Sequence, residues 1–334
     1  MDGMSETPET VEYVPDPEIP IFDPQVEYLL QEIAASGAAP VETLTPEAAR
    51  EAYAKTCKEQ FGPVDEVHSV EDRVIEDVPV RIYRPVETSE PSRALVYVHG
   101  GGWVVGSIET HDGITRALAK RAGVVVISID YRLAPEHPFP TALVDCWTVA
   151  RWVWEHAEEL GLDQERIGIA GDSAGAAIAS AIVRKGREAA TPFAMQVLLY
   201  PVLNHDFTTP SWKKFATGCG LTADAMKWYW EQYAGTAENL TDIDLAPGQL
   251  RDMRRLPPTL VVTAEYDILR DEAETFAQRL DLAGVPTEGF RYDGMIHGFL
   301  RMAGRVDRSQ QALTEIAETI KVGLEPGWRV SFGG

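Results

Sequence analysis

Beyond residue 90 the chain switches repeatedly between two hydrophobic periods. Short continuous runs rich in Val, Ile and Leu, "RALVYVHGG", "GVVVISIDY", "RIGIAGDS", "FAMQVLLYP" and "TLVVTAEYD", predict strands buried on both faces. Between them, "HDGITRALAKRAG", "ALVDCWTVARWVWEHAEELG", "AGAAIASAIVRKGRE" and "DEAETFAQRLDLAG" place apolar residues at helical spacing. Strand and helix in alternation imply a mostly parallel sheet with helices on both faces, an α/β fold. Upstream, "DRVIEDVPVRIYRP" alternates residue by residue like a hairpin. Before it, "PQVEYLLQEIAASG" and "TPEAAREAYAKTCKEQFG" predict two helices, each stopped by glycine. One interval breaks the rhythm. Residues 203–245 are aromatic-rich and helical in pattern, which predicts an insertion lying over the sheet. The expected organisation is 1–65, N-terminal helices; 66–202 and 246–334, the α/β domain; and 203–245, the insertion.

Composition narrows the possibilities. A chain of 334 residues that is 45% hydrophobic can fill a large core. No apolar stretch approaches the roughly 20 residues needed to cross a bilayer. Residues 1–24 are acidic and rich in proline, and no Lys or Arg precedes Arg50, unlike a signal or transit peptide. The expected location is the cytoplasm. Cys57, Cys146 and Cys219 are odd in number and far apart, without a Cys/His cluster, so neither a disulfide framework nor a metal site is expected. Of the three, Cys219, flanked by glycines in "TGCGLT", is the one to watch. A net charge of −22 repels phosphate backbones and anionic headgroups, which argues against nucleic acid and membrane as partners.

In an open α/β sheet, ligands bind outside the carboxyl ends of the strands. Four polar features stand there: "HGGGW" (99–103), "GDSAG" (171–175), Asp267, and His297 in "YDGMIHGF". Ser173 has a bland reading as a helix cap in a strand-to-helix connection. The other features favour a nucleophile. A tight turn between glycines lets a serine hydroxyl project above the start of a helix. Neutral His297 can take its proton, and Asp267 can orient and stabilise the resulting imidazolium. Gly101, Gly102 and Ala174 are candidate oxyanion donors, because glycines let backbone N–H groups approach closely. The chain order Ser, Asp, His is that of the α/β-hydrolases.

"HGGGW", "DYRLAPEHPFP" (130–140), "GDSAG", "YDILRDE" (266–272) and "HGF" (297–299) resemble the signatures of the hormone-sensitive-lipase-like esterases, the bacterial family IV. The resemblance spans roughly residues 90–300. It implies an α/β-hydrolase fold with an eight-stranded sheet, a triad of Ser173, Asp267 and His297, no cofactor, and a helical cap over the pocket to which the N-terminal helices of 1–65 and the 203–245 insertion both contribute. It also implies a carboxylesterase acting on small to medium acyl esters through an acyl-enzyme, and a possible homodimer through the last strand and helix. "GDSAGA" departs from many relatives by carrying Ala176 in place of a further glycine, which should alter helix packing and not chemistry.

Some assignments have rivals. Glu265, Asp271, Glu272 and Asp293 also lie between Ser173 and His297. Asp267 fits best because it directly follows an apolar strand, whereas Asp271 and Glu272 suit the first turn of a helix. Asp293 would orient His297 only locally. His99 suits a loop-bracing hydrogen bond, and His68, His111, His137, His156 and His205 read as surface or packing residues. Asp130, Arg132 and Glu136 read as charge partners pinning a loop stiffened by proline, with a cis bond before Pro135 or Pro140 in keeping with its tightness. Trp103, after the glycines, is expected to wall the pocket, and Trp212 and Phe215 are expected substrate contacts; for these two, as for Trp228, Tyr229 and Trp230 of the insertion, packing in the cap core is the rival reading. An amidase, lactonase or deacetylase would use the same machinery, and a non-catalytic receptor on this fold is a remote alternative.

Overall fold

The computed structural model describes residues 20–325. Most of the acidic lead read over 1–24 lies outside the described residues. A hairpin opens the sheet: β1 (Ser69–Ile75) and β2 (Val78–Arg84) pair antiparallel. Their turn residues Glu76 and Asp77 have φ of 48° and 66°, the left-handed pair that suits the twist of a two-residue hairpin. β2 then pairs antiparallel with β4 (Val125–Ile129). From there every pairing is parallel, through β3 (Ser92–Val98), β5 (Leu162–Asp172), β6 (Gln196–Leu199), β7 (Thr259–Tyr266) and β8 (Thr287–Ile296). The spatial order is β1-β2-β4-β3-β5-β6-β7-β8. Every residue of β4 and β6 is buried, which requires cover on both faces of the sheet. Each Val or Ile enclosed this way contributes about 1.5–3 kcal/mol relative to an exposed one.

The helices begin and end on local signals. Asp23 and Thr45 cap α1 (Pro24–Ser36) and α2 (Pro46–Phe61), accepting the N–H groups of Gln25 and Ala48, and proline occupies the first position of each. Ser107 and Thr110 cap α3 (Ile108–Ala122) reciprocally, and Gly123 closes it in the left-handed conformation. α4 (Thr141–Glu155) packs on α5 (Ala174–Ala189), and α5 lies against the central strands. The 203–245 segment holds the five-residue α6 (Pro210–Lys214) and α7 (Ala223–Ala234). α8 (Arg270–Leu282) packs on β7, and α9 (Asp307–Gly323) on α3. α7 also meets the short turn Val41–Thr43, so the N-terminal segment and the insertion touch each other.

The 130–140 loop is pinned much as its charges suggested. Arg132 pairs with buried Asp145, and Glu136 with Arg50 of α2. Arg50 also donates to the carbonyls of Val104 and Ala134. Asp130 acts differently: it accepts the N–H of Ile108 at the start of α3. The Ala134–Pro135 and Phe139–Pro140 peptide bonds are both cis.

Candidate active site

β5 runs to Asp172 and α5 starts at Ala174, so one residue reverses the chain. Ser173 does this at φ 54° and ψ −119°, a conformation that costs a residue with a side chain about 1–3 kcal/mol. The turn closes only around glycines. A Cβ on Gly171 would sit 2.4 Å from the carbonyl carbon of Gly175, and one on Gly175 would sit 2.1 Å from the Val98 oxygen. The Ser173 hydroxyl caps nothing in α5. Its Oγ lies 2.9 Å from Nε2 of His297 instead.

His297 follows β8, and its Nδ1 is 2.6 Å from Oδ2 of Asp267. The other oxygen of Asp267 accepts the N–H of Leu269 at 2.9 Å. Asp267 is buried directly after the last residue of β7. The rival acids are engaged elsewhere. Glu265 accepts the N–H of Gly294, Asp271 that of Ser211, and Glu272 that of Leu203, while Asp293 is exposed. Glu272 is thus more than a helix-dipole partner, being a buried brace between α8 and the chain after β6. Burial pushes its carboxyl up to about 8.

The glycine loop follows β3. Gly101 and Gly102 have φ of 117° and 57°, and the N–H groups of Val104 and Val105 fold back onto the Gly101 carbonyl. Among the described residues the N–H groups of Gly101, Gly102 and Ala174 donate to no protein acceptor. One carboxylate ties this loop to the serine turn. Oδ1 of Asp172 accepts the Gly100 N–H and the Tyr97 hydroxyl, both at 2.8 Å. Its Oδ2 lies 3.3 Å from Nε2 of His111. Burial opposes the Asp172 charge, but His111 and the donated hydrogen bonds outweigh it and hold the carboxyl well below the ordinary range.

His99 braces the loop. Burial and neighbouring His111 push its imidazole down to about 3. In the neutral ring Nδ1–H donates to the Gly100 carbonyl at 2.8 Å, and the ring stacks on Tyr131. His111, read as an ordinary packing residue, is instead the fully buried partner of Asp172. No motif surrounded it, but its place on α3 beneath the glycine loop depends on the tertiary fold.

Ser173, His297, Gly101 and Gly102 line one cavity of about 330 Å³. Its walls come from the N-terminal segment, through Ile33, Leu44 and Tyr53, and from the insertion, through Leu221, Met226 and Tyr229. The three expected aromatic contacts lie elsewhere. Trp103 takes a positive φ of 61° and is buried, with its indole stacked on Tyr233 at 4.6 Å and tilted against Trp230. Trp212 stacks on Phe207, and Phe215 packs edge-on against Tyr266 under the Arg270 guanidinium. All three rings are buried among other side chains and none lines the cavity. Tyr229, one of the aromatic candidates of the insertion, does line the cavity, together with Tyr53, Tyr200 and Arg301. Tyr200 was discoverable, since it directly follows the apolar run of β6 at the carboxyl edge of the sheet.

The chain is similar to known proteins along most of its length. A family model described as alpha/beta hydrolase fold matches residues 95–301. The chain is similar to the carboxylesterase NlhH of Mycobacterium tuberculosis, with 39% identity over 71% of this chain and 75% of that one. It is 33% identical to an ethyl acetate hydrolase of Pseudomonas putida over 90% of this chain and 98% of the relative. An ester hydrolase from the metagenome of Lake Arreo, solved with a bipyridine phosphonate derivative, superposes with a TM-score of 0.87 at 36% identity, covering 90% of this chain and 98% of that one. With a family model spanning most of the chain and such relatives along its length, the protein belongs to the hormone-sensitive-lipase-like carboxylesterases of the α/β-hydrolase family.

Proposed function

We propose that the protein hydrolyses small to medium carboxylic esters, with Ser173 as nucleophile, His297 as general base and acid, and Asp267 as the carboxylate that orients it. The observation that carries this reading is the relay Ser173 to His297 to Asp267, at 2.9 and 2.6 Å, opening on a cavity of ester size. His297 accepts the Ser173 proton as Oγ attacks the carbonyl carbon. The oxyanion forms against the free N–H groups of Gly101, Gly102 and Ala174. His297 then protonates the departing alcohol, leaving an acyl-serine. Water repeats the steps in reverse and releases the acid. Each oxyanion donor is worth about 2.7–4 kcal/mol in the transition state.

The N-terminal helices and the 203–245 insertion act as the cap in this reading, restricting the cavity to small substrates. A cytoplasmic location belongs to it too; among the described residues no helix is long and apolar enough to cross a membrane. Nucleic acid is not a partner of so acidic a protein. β8 is an edge strand of the sheet, and pairing of two copies through it would give a homodimer, which light scattering at several concentrations decides. Ser173→Ala tests the chemistry. It should lower kcat on a short p-nitrophenyl ester by at least about 10⁴-fold with the melting temperature retained. Hydrolysis at the parental rate would overturn the assignment.

A further inference from the structure

Among the described residues, the cavity wall holds a cation without a carboxylate partner. Arg301 lies in the turn Phe299–Met302, shortly after His297, and is half-buried against the same cavity. Its guanidinium carbon sits 4.8 Å over the centre of the Tyr53 ring, and Nη1 reaches the Cys57 sulfur at 3.3 Å. A thiol sulfur is a weak acceptor, so most of the guanidinium donors are left over. Among the described residues no carboxylate pairs with Arg301. The chain has 52 Asp and Glu against 30 Lys and Arg, so a supply of acids is not what is missing. The lining acid, Asp172, is already taken by Tyr97, Gly100 and His111.

A second group points the same way. Tyr200 is 1% exposed, lines the cavity, and has a hydroxyl with no hydrogen-bond partner among the described residues. Its backbone is held at φ 36°, in the strained region that clusters at functional sites. Burial and the Asp172 charge push its phenol well above the ordinary value, so it stays a proton donor, while nearby Arg301 pulls the other way. An unsatisfied buried donor and an unpaired cation on one apolar wall suit an anion brought in by the substrate.

We propose that Arg301 and Tyr200 form a carboxylate subsite, and that the preferred substrates are esters carrying a free carboxylate beyond the scissile bond. Two sources share that chemistry: hemiesters of dicarboxylic acids, with the charge on the acyl side, and acyl esters of hydroxy acids, with it on the alcohol side. The Tyr53 face holds the guanidinium plane, and the apolar wall reduces the competition from water. The excess negative charge of the molecule does not prevent this, since salt screens distant charges beyond about 10 Å at 0.1 M.

This inference rests on the ester-hydrolase reading, and its test separates the two. Two pairs of esters matched in length are compared: phenyl butyrate with phenyl hemisuccinate for the acyl side, and butyl acetate with 4-acetoxybutyrate for the alcohol side. In one pair the parent enzyme should have the higher kcat/KM on the charged member, and that pair identifies the side. Arg301→Gln should lower the charged-to-neutral ratio roughly tenfold or more, chiefly through KM, and Arg301→Lys should restore part of it. The parent comparison needs no variant. A parent that disfavours the charged member of both pairs, or a ratio unmoved by Arg301→Gln, overturns the subsite alone. A parent that hydrolyses none of the four esters overturns the esterase reading and this inference with it.

Discussion

Glu272 shows how a buried carboxyl outside the reaction shapes the pH response of the fold. Desolvation raises it from an ordinary 4.5 to about 8, while the N–H groups of Leu203 and Asn204 pull the other way. The folded state therefore holds this proton more tightly than the unfolded chain does. The stability it contributes is complete below pH 4.5 and is lost as pH rises towards 8. Glu272→Gln keeps an acceptor oxygen and removes the titration. Melting curves across this range should show the parent losing stability relative to Glu272→Gln as pH rises; a constant difference would contradict the assignment. At this scale the sequence was uneven. Ser173, Asp267 and His297 were legible because each directly follows an apolar strand or sits in a short motif. For Trp103, Trp212 and Phe215, core and cavity could not be told apart, because composition reports an aromatic ring but not what it faces after folding.

At the scale of elements, the central junction is where the β3 loop, the β5 turn and α3 meet on one carboxylate. Asp172 joins the glycine loop to the serine turn through Gly100 and is itself held by His111 of α3. Asp172→Ala would leave an imidazole, a phenol and an amide N–H without their partner. Each buried group left without its partner costs about 1–3 kcal/mol. A denaturation midpoint lowered accordingly, together with a lower kcat, is the expected result, and full kcat at full stability would show that the tie is idle. The strands and helices of the α/β part were readable because a doubly covered sheet demands apolar runs and its helices a 3.6-residue period. The 203–245 insertion was less so. Its five-residue α6 and the loops around it follow contacts with α8 and the N-terminal segment, which leave no period in the chain.

For the whole molecule, the cavity could not be outlined from sequence, since its walls come from residue 33 to residue 302 and meet only after folding. What could be read was its floor, because chain order and strand ends alone constrain where a serine, an imidazole and a glycine loop converge. The central claim is that the acyl group is carried on Ser173. Incubation with a p-nitrophenyl phosphonate, followed by peptide mass spectrometry, examines this directly. The account predicts one covalent adduct per chain, on the peptide containing Ser173, formed in step with the loss of esterase activity and absent from Ser173→Ala. An adduct on another residue, or activity that survives complete modification of Ser173, would contradict it.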